Sequence, residues 1–277
     1  MRETGLSPRL LVGAALTVAA LACGEVPTYE QGVAYISAVI LPSPAVALGD
    51  TLRDSMGVAT PLRLYGIDGD GDTVSTITPV FVVTTVPGRS VTLTPANLVI
   101  GDSVRPVQIV GQVGSRLQTP PAPLDVVRQP DSIAPSGVTT TRFPPPGAAE
   151  VTSTVTLGVN VTSPPVPEIP ATPTTPATPA VVRAGVKSII VRYAVTRVFP
   201  AAATIPDTTL VLLDDVGRFI LPTGRTTVDT TDASGNASRR IRAIPLGFDS
   251  VEISASANNL RGVPLKGSPI RFVVTTR

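Results

Sequence analysis

The sequence predicts an all-β protein built of two consecutive β-sandwiches, and three observations lead there. Hydrophobic residues make up 43% of the chain but aromatics only 4%, with no Trp, so the apolar content is mostly Val, Ile, Leu and Ala, accompanied by abundant Thr. Thirty Pro and 23 Gly are spread along the sequence, the punctuation expected of many short strands and tight turns. Beyond the N-terminus no segment sustains a 3.6-residue apolar period. Short apolar runs recur instead, each closed by a Gly, Pro, Asn or Asp turn signal.

The first 22 residues stand apart. Arg2 and Arg9 oppose a single Glu3, and Leu10 to Leu21 is uncharged and apolar before Ala22-Cys23-Gly24. A twelve-residue stretch is too short for a bilayer core, which needs about 20 residues; it fits the apolar region of a signal peptide. Ala19-Ala20-Leu21-Ala22-Cys23 resembles the lipobox of bacterial lipoproteins, with Ala20 where that family usually carries Leu. The resemblance implies cleavage of 1–22, a diacylglycerol on the Cys23 thiol with palmitate-type chains, and anchorage of the protein to the membrane. Gly24, rather than Asp, implies sorting to the outer membrane in an envelope that has one. Cys23 is the only cysteine, so no intramolecular disulfide competes for it.

After a short polar tether, 23–30, the strands follow in order. Val33 to Leu41 is broken by Pro42 and Pro44 and resumes at Ala45 to Leu48; a proline-interrupted strand suits a sheet edge. Leu62 to Tyr65 leads into the turn Asp68-Gly69-Asp70-Gly71-Asp72. Val80–Val83, Val91–Leu93, Val107–Val113 and Leu124–Val127 are further strands. The run from Val39 through Gly49-Asp50-Thr51, the Asp/Gly hairpin at 66–72 and the closing strand near Val126 resemble a bacterial immunoglobulin-like domain over 31–129. Phe81 is the nearest candidate for the aromatic that follows the hairpin in that family, and Tyr65, Phe81 and Phe272 are all expected in the core.

The second module is expected over 130–277. Val138–Thr141 and Val151–Val161 precede the segment 163–180, in which Pro164, Pro167, Pro170, Pro173, Pro176 and Pro179 recur at every third position. That period matches polyproline II, so an extended rod of roughly 50 Å is available as a domain linker or an inserted loop. Insertion is preferred, because two strands alone are marginal and need partners such as Ser188–Val195 beyond the rod. Thr209–Leu213, the turn Thr231-Asp232-Ala233-Ser234-Gly235-Asn236-Ala237, Val251–Ala255 and Ile270–Val274 resemble the later strands of an invasin/intimin-type module. In the turn, Asp232 is placed to bond the backbone and Gly235 to supply a positive φ.

The function classes narrow by chemistry. His is absent, removing the commonest general base; the single Cys is committed to the lipid; Lys187 and Lys266 lie in no Ser-x-x-Lys motif. No catalytic residue, cofactor or metal ligand is assigned, and the expectation is that the protein is not an enzyme. Asp68, Asp70 and Asp72 resemble the start of a calcium loop, but Thr73 and Pro79 stand where glycine and glutamate belong, so turn chemistry is favoured. Asn160 and Asn236 match glycosylation sequons by chance. Removing Arg2, Arg9 and Glu3 from 22 basic and 20 acidic side chains leaves 20 and 19, which excludes a nucleic-acid footprint; Arg239, Arg240 and Arg242 read as a solvated strand face. Two readings remain. One is a non-catalytic, lipid-anchored cell-envelope protein acting as spacer or adhesion scaffold toward an envelope protein or glycan. The other is a carbohydrate- or calcium-binding module of an envelope complex.

Overall fold

Hydrogen bonding between distant segments, rather than local coiling, organises this chain. The computed structural model describes residues 32–84, 90–145, 152–165, 182–200, 210–214, 225–244 and 248–276. The segment 1–22, Cys23 and the tether, and most of the proline repeat 163–180, lie outside the described residues. Among the described residues there is no α-helix, and none long and apolar enough to cross a membrane. The chain is all-β, as its composition predicts.

Two compact units form. The smaller comprises the described part of Met1–Ala38, with Leu64–Val80 and Gly111–Pro120. The larger comprises Val39–Arg63, Phe81–Val110 and Pro121–Arg277. Ten strands occupy the first half: β1 (Tyr35–Ile36), β2 (Ala45–Ala47), β3 (Gly66–Ile67), β4 (Thr73–Val74), β5 (Val80–Val83), β6 (Val91–Leu93), β7 (Val99–Gly101), β8 (Pro106–Val113), β9 (Leu117–Gln118) and β10 (Ala122–Val127).

In the smaller unit β1, β3 and β4 form an antiparallel sheet, and β9 pairs with the end of β8. A side chain at Gly66 would lie 2.8 Å from methyls of both Val33 and Ile77, so only glycine fits there. In the larger unit β2 runs parallel to β10, which is antiparallel to β8. Of the expected strand Val33–Leu41 only β1 and an isolated bridge from Ile40 to Arg63 form, and after Pro42 and Pro44 the chain re-enters pairing at Ala45.

The remaining nine strands build a sandwich within the larger unit: β11 (Ser132–Pro135), β12 (Thr140–Arg142), β13 (Ser153–Thr162), β14 (Ile190–Phe199), β15 (Leu210–Leu213), β16 (Thr226–Thr230), β17 (Asn236–Ala243), β18 (Ser250–Ala257) and β19 (Ile270–Thr275). One sheet has the order β11-β13-β17-β15 and the other β12-β19-β18-β14-β16. Here too the opening strand is split, at Ser136-Gly137: β11 is antiparallel to β13, and β12 is parallel to the last strand. The same parallel closure of an early strand on a late one thus occurs in both halves.

Strict period-two burial on β18, where Val251, Ile253, Ala255 and Ala257 are buried, supplies one wall of the core. Leu157, Val159 and Val161 of β13 and Ile241 of β17 supply the other. The buried Tyr193 hydroxyl donates to the Ala237 carbonyl at 2.9 Å, joining the two sheets. Phe143 and Phe248 meet edge to face at 6.3 Å, the preferred arrangement of aromatic quadrupoles.

Three details depart from expectation. Phe81 and Phe272 are buried, but Tyr65 is 43% exposed. Leu62 and Leu64 take the inward positions, and alternation sends Tyr65 outward. Arg239 is not on a solvated face; it sits inward on β17 between Ala237 and Ile241, while Arg240 is exposed. β16, with the polar sequence TTVDT, is a strand that apolar patterning does not signal. The flanks of the proline segment also come together: the Ser163 N–H donates to the Ala184 carbonyl at 2.9 Å and Thr162 bridges Gly185. The described ends of the proline segment are thus held against each other within the larger unit.

Candidate functional site

The turns hold several of the residues that the sequence offers for chemistry. Asp68 Oδ1 accepts the N–H groups of Asp70 and Asp72 at 3.0 and 2.9 Å, and Gly71 has φ +93°. Asp232 accepts from Ser234 and Asn236 at 2.8 and 2.9 Å, with Gly235 at φ +80°. Asp54 does the same with Met56 and Val58, and Asn259 with Arg261 and Val263, each again with a positive-φ glycine, Gly57 and Gly262. The shared pattern is Asp/Asn-x-x-Gly: an acceptor capping its own hairpin, followed by the residue that tolerates a left-handed backbone. Asp232 and Gly235 act as expected. At Asp68–Asp72 the geometry is that of the Asn259 turn, which has no carboxylate run. Among the described residues no group of three His, Cys, Asp or Glu side chains is arranged to hold a metal.

The lysines are engaged elsewhere than at a nucleophile. Lys187 Nζ lies 2.6 Å from Asp125, and Lys266 Nζ 3.0 Å from Asp131. The two sequon asparagines meet across β13 and β17, Asn160 Nδ2 donating to Asn236 Oδ1 at 2.9 Å. Cys23 lies outside the described residues.

Within the larger unit the polar groups concentrate where the 54–58 and 259–263 hairpins pack back to back. A Cβ on Gly57 would stand 2.1 Å from the Arg261 carbonyl oxygen, and one on Gly262 would stand 2.7 Å from that of Met56. Beside them Asp50 Oδ2 accepts from Arg261 Nε at 2.6 Å, and Oδ1 from Arg53 at 3.1 Å and from the Thr51 N–H at 2.8 Å. Burial by itself raises the Asp50 pKa, but the bonds from Arg261, Thr51 and Arg53 outweigh it and hold the carboxyl below its ordinary value.

A carboxylate whose pKa is depressed by folding contributes stability that is complete above its unfolded pKa of about 3.9 and is lost as pH falls through the lower folded value. Unfolding midpoints in urea measured between neutral and strongly acidic pH are expected to fall below about pH 4, and less steeply in Asp50→Asn, which lacks the titrating group. Identical acid limbs in both proteins would refute the assignment.

Adjacent to this junction lies a cleft of about 180 Å³. Ser43, Arg53 and Asp54 form one side, Ser188 to Ile190 with Arg192 where β14 begins another, and Ser256 to Leu260 where β18 ends the third. No aromatic ring lines it. These residues come from three distant stretches of sequence, and of them only the turn acceptors Asp54 and Asn259 belong to a local motif.

No family model matches the chain, and no curated protein matches it. Among solved structures it is similar to the adhesin InvE of Yersinia pseudotuberculosis, at 13% identity over 90% of this chain and 61% of that one, with a TM-score of 0.28. It is similar to domains 4 and 5 of the S-layer protein SbsC at 11% identity over 88% of this chain and 99% of that one, TM-score 0.28. The collagen adhesin of S. aureus aligns at 10% identity over 88% and 94%, TM-score 0.23. This chain thus spans less than two thirds of the Yersinia adhesin. TM-scores of this size establish neither a common fold nor a common role.

Proposed function

We propose that the protein is a non-catalytic, lipid-anchored component of a bacterial cell envelope, with two immunoglobulin-like modules, 31–129 and 130–277, that act as a spacer or adhesion scaffold. The observation that carries this reading is the single cysteine at position 23, placed directly after an apolar stretch of signal-peptide length and small residues. Within the larger unit, which takes in parts of both modules, no ladder among the described residues joins a strand before residue 129 to one after 130, and this supports the module boundary. A role without catalysis is supported by the absence of His and by the carboxylate partners of Lys187 and Lys266.

The test is the intact mass of the protein made in a bacterial host that processes lipoproteins. Cleavage before Cys23 with an added diacylglycerol is expected, and Cys23→Ala is expected to leave the membrane fraction. A Cys23→Ala protein that stays membrane-bound and is processed like the parent would rule out the anchor.

A further inference from the structure

The cleft beside β14 has polar groups that the fold does not use. The side chains of Arg192, exposed on β14, and of Asn258, exposed just after β18, have no hydrogen-bond or ion-pair partner among the described residues. Arg53 gives NH2 to Asp50 and NH1 to the Gly57 carbonyl, yet its buried Nε meets no acceptor among the described residues. Asp54 is the one acid of the lining, and its carboxylate is taken by the N–H groups of Met56 and Val58 and by the Thr60 hydroxyl. Arg53 is balanced by Asp50 and the Asp54 carboxylate is occupied, so Arg192 is the uncompensated charge of the lining and the cleft favours an anion.

A second observation points to the same place. Ser188 has φ +61°, a left-handed backbone that a non-glycine residue adopts at a cost. It is held there because its N–H donates to the Thr231 carbonyl at 2.8 Å and the next N–H, of Ile189, donates to Thr231 Oγ1 at 2.9 Å. Strain maintained by a buried threonine at the rim of a cleft is the kind of feature that marks a shaped site.

We infer that this cleft binds a single acidic sugar residue, its carboxylate on Arg192 and Arg53 and its ring hydroxyls on Ser43, Ser256 and the Asn258 amide. Size sets the limit of one ring: 180 Å³ is below the roughly 300 Å³ at which drug-sized sites begin. Neutral sugars are disfavoured because no aromatic face is present to stack on, so charge supplies the recognition. The site goes beyond the scaffold role proposed above and does not depend on the lipid.

The experiment is calorimetric titration of the full mature chain in detergent micelles with glucuronate, glucose, acetate and inorganic phosphate as separate probes. Glucuronate is expected to bind with a dissociation constant on the order of 1 mM, with glucose and acetate each at least about tenfold weaker. Arg192→Gln, at an exposed position, is expected to melt like the parent and to weaken glucuronate roughly tenfold. Glucose or acetate binding as well as glucuronate, phosphate binding more tightly, no binding of glucuronate, or unchanged affinity in Arg192→Gln would each overturn the inference. None of these outcomes bears on the Cys23 mass measurement, so the two readings fail separately.

Discussion

Replacing Asp229 with alanine is expected to destabilise the protein by about 3–5 kcal/mol, the loss that follows when one member of a buried ion pair is removed and the other charge is left behind. Asp229 is on β16, in the five-stranded sheet, and Arg239 is on β17, in the four-stranded sheet. Their side chains are 13% and 10% exposed, and Arg239 NH1 lies 3.1 Å from Asp229 Oδ1. The carboxylate also accepts the N–H groups of Thr230 and Ser238, both at 2.7 Å. Arg239 donates in turn to the carbonyls of Ser238 and Val228. The pair staples the two sheets together, so cutting it strands either a guanidinium or a carboxylate next to the apolar core.

Arg239→Ala is expected to cost a similar amount for the same reason. The double replacement Asp229→Leu with Arg239→Met is expected to recover most of the loss, because a hydrophobic pair of similar volume carries no desolvation penalty. Urea unfolding of the three variants checks this. Single variants within about 1 kcal/mol of the parent, the range of exposed ion pairs, would show that water reaches the pair and that it is not a staple.

Gly235→Ala is the second large effect, expected at on the order of 3 kcal/mol. About 1–2 kcal/mol comes from forcing an L-residue to a left-handed φ, and about 1–3 from overpacking. Gly235 has φ +80°, and a Cβ there would stand 2.3 Å from the Val161 carbonyl oxygen, 2.8 Å from Gly185 Cα and 2.9 Å from the Val186 nitrogen. All three are backbone atoms, so no side chain can swing away. The same backbones are hydrogen-bonded to one another: the Val161 N–H donates to the Gly235 carbonyl at 2.8 Å and the Val186 N–H to that of Val161 at 2.9 Å. The substitution therefore pries apart the point where the chain enters and leaves the 163–185 excursion.

Gly71→Ala provides the control. Gly71 occupies the equivalent position of a similar hairpin at φ +93°, with nothing within 4 Å of its Cβ position, so only the conformational cost of about 1–2 kcal/mol is expected. Equal losses in the two variants would mean that the packing at 161 and 185 relaxes freely.

Much of the strand framework was legible because its signals are local. Val107–Val113, Val151–Val161, Val251–Ala255 and Ile270–Val274 are apolar at alternating or consecutive positions and are closed by turn residues, and strands lie within the described part of each. The Asp232 turn was legible for the same reason: an acceptor and a glycine three residues apart close a hairpin from within five residues. The four-fold recurrence of that pattern, at Asp54, Asp68, Asp232 and Asn259, was there to be read and also accounts for the acidic run at 68–72.

Tyr65 and Arg239 were misplaced because residue type was weighed above phase. Counting by twos from Leu62 and Leu64 sends Tyr65 outward, and counting from Ala237 and Ile241 brings Arg239 inward. β16 carried no apolar signal at all; it is a strand because β14 offers it a ladder.

The sequence by itself determined the all-β class, the positions of most strands and the chemistry of the turns, since each depends on sterics and hydrogen bonds within a few residues. Only the tertiary structure decided which charges go inside, that the ends of the proline segment meet, and that Arg53, Arg192 and Asn258 line one cleft. Those facts rest on the pairing of strands tens of residues apart and on the facing of two sheets, which local sequence patterns do not specify.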